Sequence, residues 1–151
     1  MLEAFLAWAE STAQGDATSE LTSIYHDYIA CLNQQDWGNL SRFVHQAVSR
    51  NDTRLGLAGY RKMLEQDFAE IPDLSFAIEL AVAEPPYLAS RLRFNCSPVG
   101  RFLNLSVNGR KVSFAENVFY EFLDRKIIRV WSVIDKLEIE AQLPPQSDSK
   151  C

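Results

Sequence analysis

The chain has 151 residues, 47% of them hydrophobic and 23% charged, the balance of a soluble globular protein. That length suits one domain burying about two-thirds of its unfolded surface. A net charge of −5 argues against nucleic-acid binding, and no apolar run is long enough to cross a membrane.

In chain order, Leu2, Phe5, Leu6 and Ala9 predict a short helix over residues 2–13. The polar run STAQGDATS (Ser11–Ser19) is expected to end it, with Thr18 or Ser19 capping the next helix. Leu21, Ile24, Tyr25, Tyr28, Ile29 and Leu32 then fall on one face of a helix over 20–34. Asp36-Trp37-Gly38 reads as a turn and a brief helical segment follows to Phe43. Val44–Val48 reads as a short strand ending in the polar corner Arg50-Asn51-Asp52-Thr53. Tyr60, Met63, Leu64 and Phe68 mark one side of a helix over Leu57–Ile71, stopped by Pro72.

Beyond Pro72 the period changes to alternation. Strands are expected at Leu74–Glu84, Tyr87–Asn95, Lys111–Leu123 and Lys126–Ile134. Pro85-Pro86, the stretch from Pro98 to Gly109, and Asp124-Arg125 separate them. A last helical turn at Lys136–Leu143 precedes the tail PPQSDSKC, expected to be disordered. Helices first and antiparallel strands after them is the α+β pattern. The expected division is an extension over 1–19, a domain over 20–143 and a tail over 144–151.

Cys31, Cys96 and Cys151 match neither a disulfide framework nor a zinc spacing. His26 and His45 are too few for a histidine-rich metal site. The opening MLEAFLAWAE lacks the basic segment and unbroken apolar stretch of a secretory leader. The expectation is a cytoplasmic protein with no metal and no cofactor.

The stretch Glu116–Leu143 is the most informative, because it sets two carboxylates among apolar and aromatic residues. Asp135 follows Val130-Trp131-Ser132-Val133-Ile134 and shares a strand face with Trp131 and Val133. Among apolar groups its charged form is disfavoured, which suits proton transfer. The other reading makes it the N-cap of the last helix. Glu116 shares a face with Val118 and Tyr120. It is either an exposed strand residue paired with an arginine, or the second member of an inward carboxylate pair with Asp135. Arg91, Arg93 and Asn95 alternate onto one face, the wet side of a sheet or, in a pocket, groups for stabilising an enolate. Asn51 is a turn residue or an amide donor to a carbonyl. His45 is a surface histidine or part of the pocket mouth, and His26 is expected to be solvated. Tyr25, Tyr60, Met63 and Trp131 would shape an apolar cavity or serve as core.

Several blocks together resemble the SnoaL-like polyketide cyclases, members of the nuclear-transport-factor-2-like group. They are VHQAVSRNDTRLGLAGYRKML (44–64), PDL (72–74), ASR within YLASRLRF, GRFLNLSVNGRKVSF (100–114) and FLDRKIIRVWSVIDKLEIEAQL. The resemblance spans roughly residues 20–143. It implies an α+β cone in which a curved, mixed sheet wraps the N-terminal helices around an internal pocket. It further implies a homodimer, and an acid–base cyclase or isomerase of natural-product biosynthesis acting on a small ketone or ester without a cofactor. A dehydratase, an epoxide hydrolase or a non-catalytic binding module on the same pocket are the alternatives. The family's Trp-x-x-x-Asp segment corresponds to Trp131–Asp135, giving Asp135 the proton-transfer role, and Arg91 is the matched arginine. The chain departs from the family pattern twice. Cys96-Ser97-Pro98 stands where members often read Gly-Thr-His, and Arg50-Asn51 where members often read His-Asn.

Overall fold

The computed structural model describes residues 2–146, with side chains from Gly15 onward. A single helix, α1 (Leu2–Asn33), opens the chain. The expected break at Ser11–Ser19 is not there. Nothing in that run forbids helix: it holds no proline, and Gly15 costs only about 1 kcal/mol relative to alanine. Thr22 also returns its hydroxyl hydrogen to the Thr18 carbonyl at 2.9 Å, satisfying itself inside the helix.

A 3-10 turn (Trp37–Arg42) leads into β1 (Val44–Arg50), which folds back on β2 (Thr53–Arg54). Asn51 and Asp52 make that corner, both at positive φ, a conformation asparagine and aspartate tolerate better than most residues. Helix α2 (Gly56–Glu70) follows, then β3 (Ala77–Glu84) and β4 (Tyr87–Cys96). The loop expected between Pro98 and Gly109 contains a small hairpin, β5 (Arg101–Phe102) and β6 (Leu105–Ser106). Strands β7 (Val112–Leu123) and β8 (Lys126–Ile134) and the short helix α3 (Lys136–Glu140) complete the chain. Residues 147–151 of the tail lie outside the described residues. Gln146, just before them, accepts a hydrogen bond from the Ser106 backbone at 2.7 Å.

Six strands form one sheet in the order β2-β1-β8-β7-β4-β3, all neighbours antiparallel except the parallel pair β1 and β8. The sheet is open, and α1 and α2 cover its concave face. Tyr25, Tyr28, Ile29 and Leu32 of α1 and Tyr60 and Leu64 of α2 are buried there. From the sheet, Leu88, Leu92, Phe94, Phe114, Val118, Tyr120 and Ile127 meet them. This is the α+β cone that the sequence implied.

Among the described residues, nothing covers the opposite face of the sheet. Across four strands the registers align Val82, Ala89, Phe119 and Trp131 in one row, and Leu80, Arg91, Asn117 and Val133 in the next. Leu80, Val82 and Phe119 are each more than half exposed and Val133 is 71% exposed, an exposed apolar surface crossed by the polar pair Arg91 and Asn117, of the kind that marks an interaction site.

Candidate active site

Two adjoining hollows open between the helices and the concave face, of about 430 and 390 Å³ counted out to their mouths. They share four lining residues: Arg50, Asp67, Phe76 and Glu116. The outer lobe is walled by Phe94, Phe102 and Phe114, with Ile71, Leu74 and Ile134. The deep lobe is lined by the phenols of Tyr28, Tyr60 and Tyr120, with Met63, Leu92, Val130 and Ser132 among its other walls. Three charged groups thus stand at the waist of an otherwise mainly apolar and aromatic cavity.

Each of the three arrives from a different element. Glu116 lies on β7, where Phe114, Glu116, Val118, Tyr120 and Phe122 all point inward. Asp67 lies on α2 one turn beyond Met63 and Leu64, on the same stripe as Tyr60, so helical spacing carries a carboxylate into the cavity wall. Arg50 ends β1, and its guanidinium donates to Ser132 Oγ at 3.0 Å. Asn51 fixes that neighbourhood. Its side-chain oxygen accepts from the Ser132 backbone at 2.9 Å, and its own backbone N–H donates to the Val130 carbonyl at 2.8 Å.

The electrostatics follow from that placement. Burial pushes the Glu116 carboxyl up from 4.5 to about 7; the Arg50 cation opposes the rise and the Asp67 charge adds to it. Burial likewise raises Asp67 from 3.8 to about 6, again opposed by Arg50, with Glu70 adding to the rise. Near neutral pH, Glu116 therefore exchanges its proton readily while Asp67 is mostly ionised. Tyr28 and Tyr60 are fully buried, which pushes both phenols well above their ordinary value and keeps them protonated.

The structure distributes the sequence-predicted residues differently from expectation. Asp135 is the N-cap of α3: its carboxylate accepts from the Glu138 backbone N–H at 3.1 Å. The expectation that it sits in the apolar hollow is corrected, because β8 presents its other face. Ile127, Val130, Ser132 and Ile134 turn inward, while Trp131 and Val133 turn out. A register shift between Glu121 and Phe122, opposite Ile127–Arg129, resets the alternation. Asp135 nevertheless stays close to the site through the backbone. Its N–H donates to the Ala115 carbonyl at 2.9 Å, and Glu138, which it caps, accepts from the Ala115 N–H at 3.3 Å and pairs with Arg93. Asp135 thus anchors the strand next to Glu116.

Arg91 is on the outer face, bonded to Glu79 at 2.9 Å and Asn117 at 3.0 Å, which is the wet-sheet reading. Trp131 also faces out, and its indole N–H donates to Asp52 at 3.2 Å. His45 accepts from the Ala47 backbone at 3.0 Å, outside the lining of either lobe. Tyr25 is core, its ring 5.0 Å from that of Tyr120. Tyr60 and Met63 do line the deep lobe. Sequence reasoning missed Arg50, taken as part of a polar corner, and Asp67. The signal for Asp67 was present: a carboxylate at the position of the apolar α2 stripe where a core residue belongs.

Comparison with known proteins agrees with this fold. The family model for the SnoaL-like polyketide cyclases matches residues 22–143. The chain belongs to that family. A SnoaL-like polyketide cyclase from Agrobacterium tumefaciens of known structure is 50% identical, with a TM-score of 0.81 over 82% of this chain and 98% of that one. AclR from Streptomyces galilaeus shares 21% identity with a TM-score of 0.67, covering 84% of this chain and 99% of that chain. IdmH from Streptomyces antibioticus shares 15% identity at a TM-score of 0.70, covering 81% and 96% respectively. These two likenesses speak to the fold. No curated protein matches the sequence.

The raised carboxyl couples the site to stability. Between pH 4.5 and about 7 the folded chain holds a proton on Glu116 that the unfolded chain has released, so stability falls as pH rises through that window. Denaturant unfolding at intervals across it is expected to show a decline on the order of 2–3 kcal/mol from this group. In Glu116→Gln that part of the decline disappears. Identical pH profiles for the two proteins would place the carboxyl in ordinary solvent.

Proposed function

We propose that this chain is an acid–base cyclase or isomerase that works on a ketone- or ester-bearing intermediate of polyketide or terpenoid type, with Glu116 as the group that moves the proton. The observation that carries this reading is the Glu116 carboxyl inside an aromatic-walled hollow, raised to about 7 by burial. Abstracting a proton beside a carbonyl needs a base whose affinity matches the medium, a dry site, and positive charge or donors near the developing oxyanion. Glu116 supplies the first and the phenyl walls favour the second. Arg50, held by Ser132, supplies the third. Asp67 keeps the local charge near balance against Arg50, which suits an uncharged substrate. Membership of the SnoaL-like family supports the reaction class, and no organic cofactor is needed for enolisation and ring closure.

Asp135 has a positioning task, exercised through its cap and the Ala115 backbone, and Arg91 makes no contact with substrate. With a substrate in hand, Glu116→Gln is expected to lose about 10²–10⁴-fold in turnover. Wild-type kcat/KM should rise with pH through about 7, as a base must be deprotonated to act. Asp135→Asn, which can still cap α3, should stay within a few-fold of wild type. The reverse ranking of the two variants would overturn the assignment. A product equal in mass to the substrate marks isomerisation, and a difference of one water marks the dehydratase or hydrolase alternative.

We further propose that two copies pair through the uncovered sheet face. The apolar rows containing Leu80, Val82, Phe119 and Val133 support this, since water contact over such a surface is costly. Phe119→Glu is expected to shift the light-scattering mass from two copies to one while leaving the far-ultraviolet circular dichroism unchanged. A wild-type chain that is monomeric throughout would contradict the pairing.

A further inference from the structure

The deep lobe ends on two phenols that the acid–base reading leaves without a task. Tyr28 Oη and Tyr60 Oη lie 2.7 Å apart, joined by one hydrogen bond. Two hydroxyls carry two hydrogens, and one bond uses one of them. Among the described residues neither hydroxyl has a second hydrogen-bond partner. Both residues line the lobe that Glu116 also lines. One phenol hydrogen is therefore left without a partner among the described residues, in a buried setting where an unmet polar hydrogen is costly. Each phenol arrives from a different helix, Tyr28 from α1 and Tyr60 from α2, and their rings are buried to 1% and 3% exposure. Such a pair is preorganised: it cannot turn away to water when a ligand leaves.

We propose that the Tyr28–Tyr60 hydroxyl pair is the hydrogen-bond donor for a carbonyl or enolate oxygen of the ligand, so that the chain binds ketone-like or phenol-like molecules oxygen-first, in the deep lobe. The remainder of the ligand lies in the outer lobe against Phe76, Phe94 and Phe114, whose rings run in one chain with centroids 5.2 and 5.3 Å apart. A donor already bonded to a second hydroxyl is strengthened as the oxygen it meets gains charge. The pair then favours the enolate over the ketone, which is the direction a proton-abstracting site requires. This inference rests on the acid–base reading for the role of the oxygen, but its test is one of binding alone.

The probes are 2-naphthol and naphthalene, one flat skeleton with and without a hydroxyl, titrated by fluorescence at mildly acidic pH, where naphthol is neutral. Wild type is expected to bind 2-naphthol more tightly than naphthalene by roughly tenfold, the worth of one hydrogen bond. The double variant Tyr28→Phe/Tyr60→Phe should abolish that advantage while leaving naphthalene affinity unchanged. The double variant removes both partners of a buried bond and so leaves neither stranded, which protects against a folding defect. Tyr25→Phe, whose residue lies outside the lobe lining, should keep the advantage. No naphthol advantage in wild type, or an advantage that survives in the double variant, would overturn the inference. So would equal losses for both probes. A loss of turnover in Glu116→Gln, together with a naphthol ratio that the double tyrosine substitution leaves unaltered, would sink this inference and leave the acid–base reading standing.

Discussion

The site depends on one constraint: a carboxyl held on the inward face of a sheet, where burial weakens the solvation of its charge. Everything around Glu116 serves or tempers that constraint. Its strand neighbours on the same face are aromatic or branched, so the sheet cannot turn it outward without exposing them as well. Burial raises its proton affinity. Arg50 limits the rise and Asp67 extends it. Without Arg50, two carboxyls in one hollow would both be forced toward the neutral form. Without burial, Glu116 would be a permanently ionised surface group of little use as a base near neutral pH.

The fold supplies the three charges from three directions, each held by its own element. The β1 corner is tied to β8 by Asn51 and to the site by the Arg50–Ser132 bond. Helix α2 brings Asp67 on its buried stripe. Strand β7 brings Glu116, and α3 is clamped beside it by the Asp135 cap and the Glu138 bond to Ala115. The arginine at position 50 stands where the resemblance sets a histidine in many relatives. That exchanges a group that switches charge near neutral pH for one that does not, and in the proposed mechanism the proton moves through Glu116.

Much of this was legible before the structure. The amphipathic stripes of residues 20–34 and of α2, the four long strands and the α+β order follow from apolar period, and alternation grouped Glu116 with Val118 and Tyr120 on one face of β7 without saying whether that face points inward. What misled was β8. Its sequence VWSVI is apolar on both faces, since one side meets the core and the other is the uncovered outer surface, so alternation could not say which side faces in. A register shift then reset the phase. Asp135 followed Trp131 and Val133 out of the hollow, and the capping reading prevailed for it. The α1 break failed for a different reason: a polar run with one glycine is compatible with helix when nothing in it demands another conformation. Arg50 was hidden because the direction of a turn residue's side chain cannot be read until its packing partners are known, whereas Asp67 stood on the apolar stripe of α2, where a carboxylate is itself a signal.

The most direct test of the central claim is the titration of the Glu116 carboxyl itself, followed by its side-chain ¹³C resonance and assigned by its absence in Glu116→Gln. A midpoint near 7 is the expected result. A midpoint near the ordinary 4.5 of a glutamate would mean that water reaches this group freely, and the proposed chemistry would lose its base.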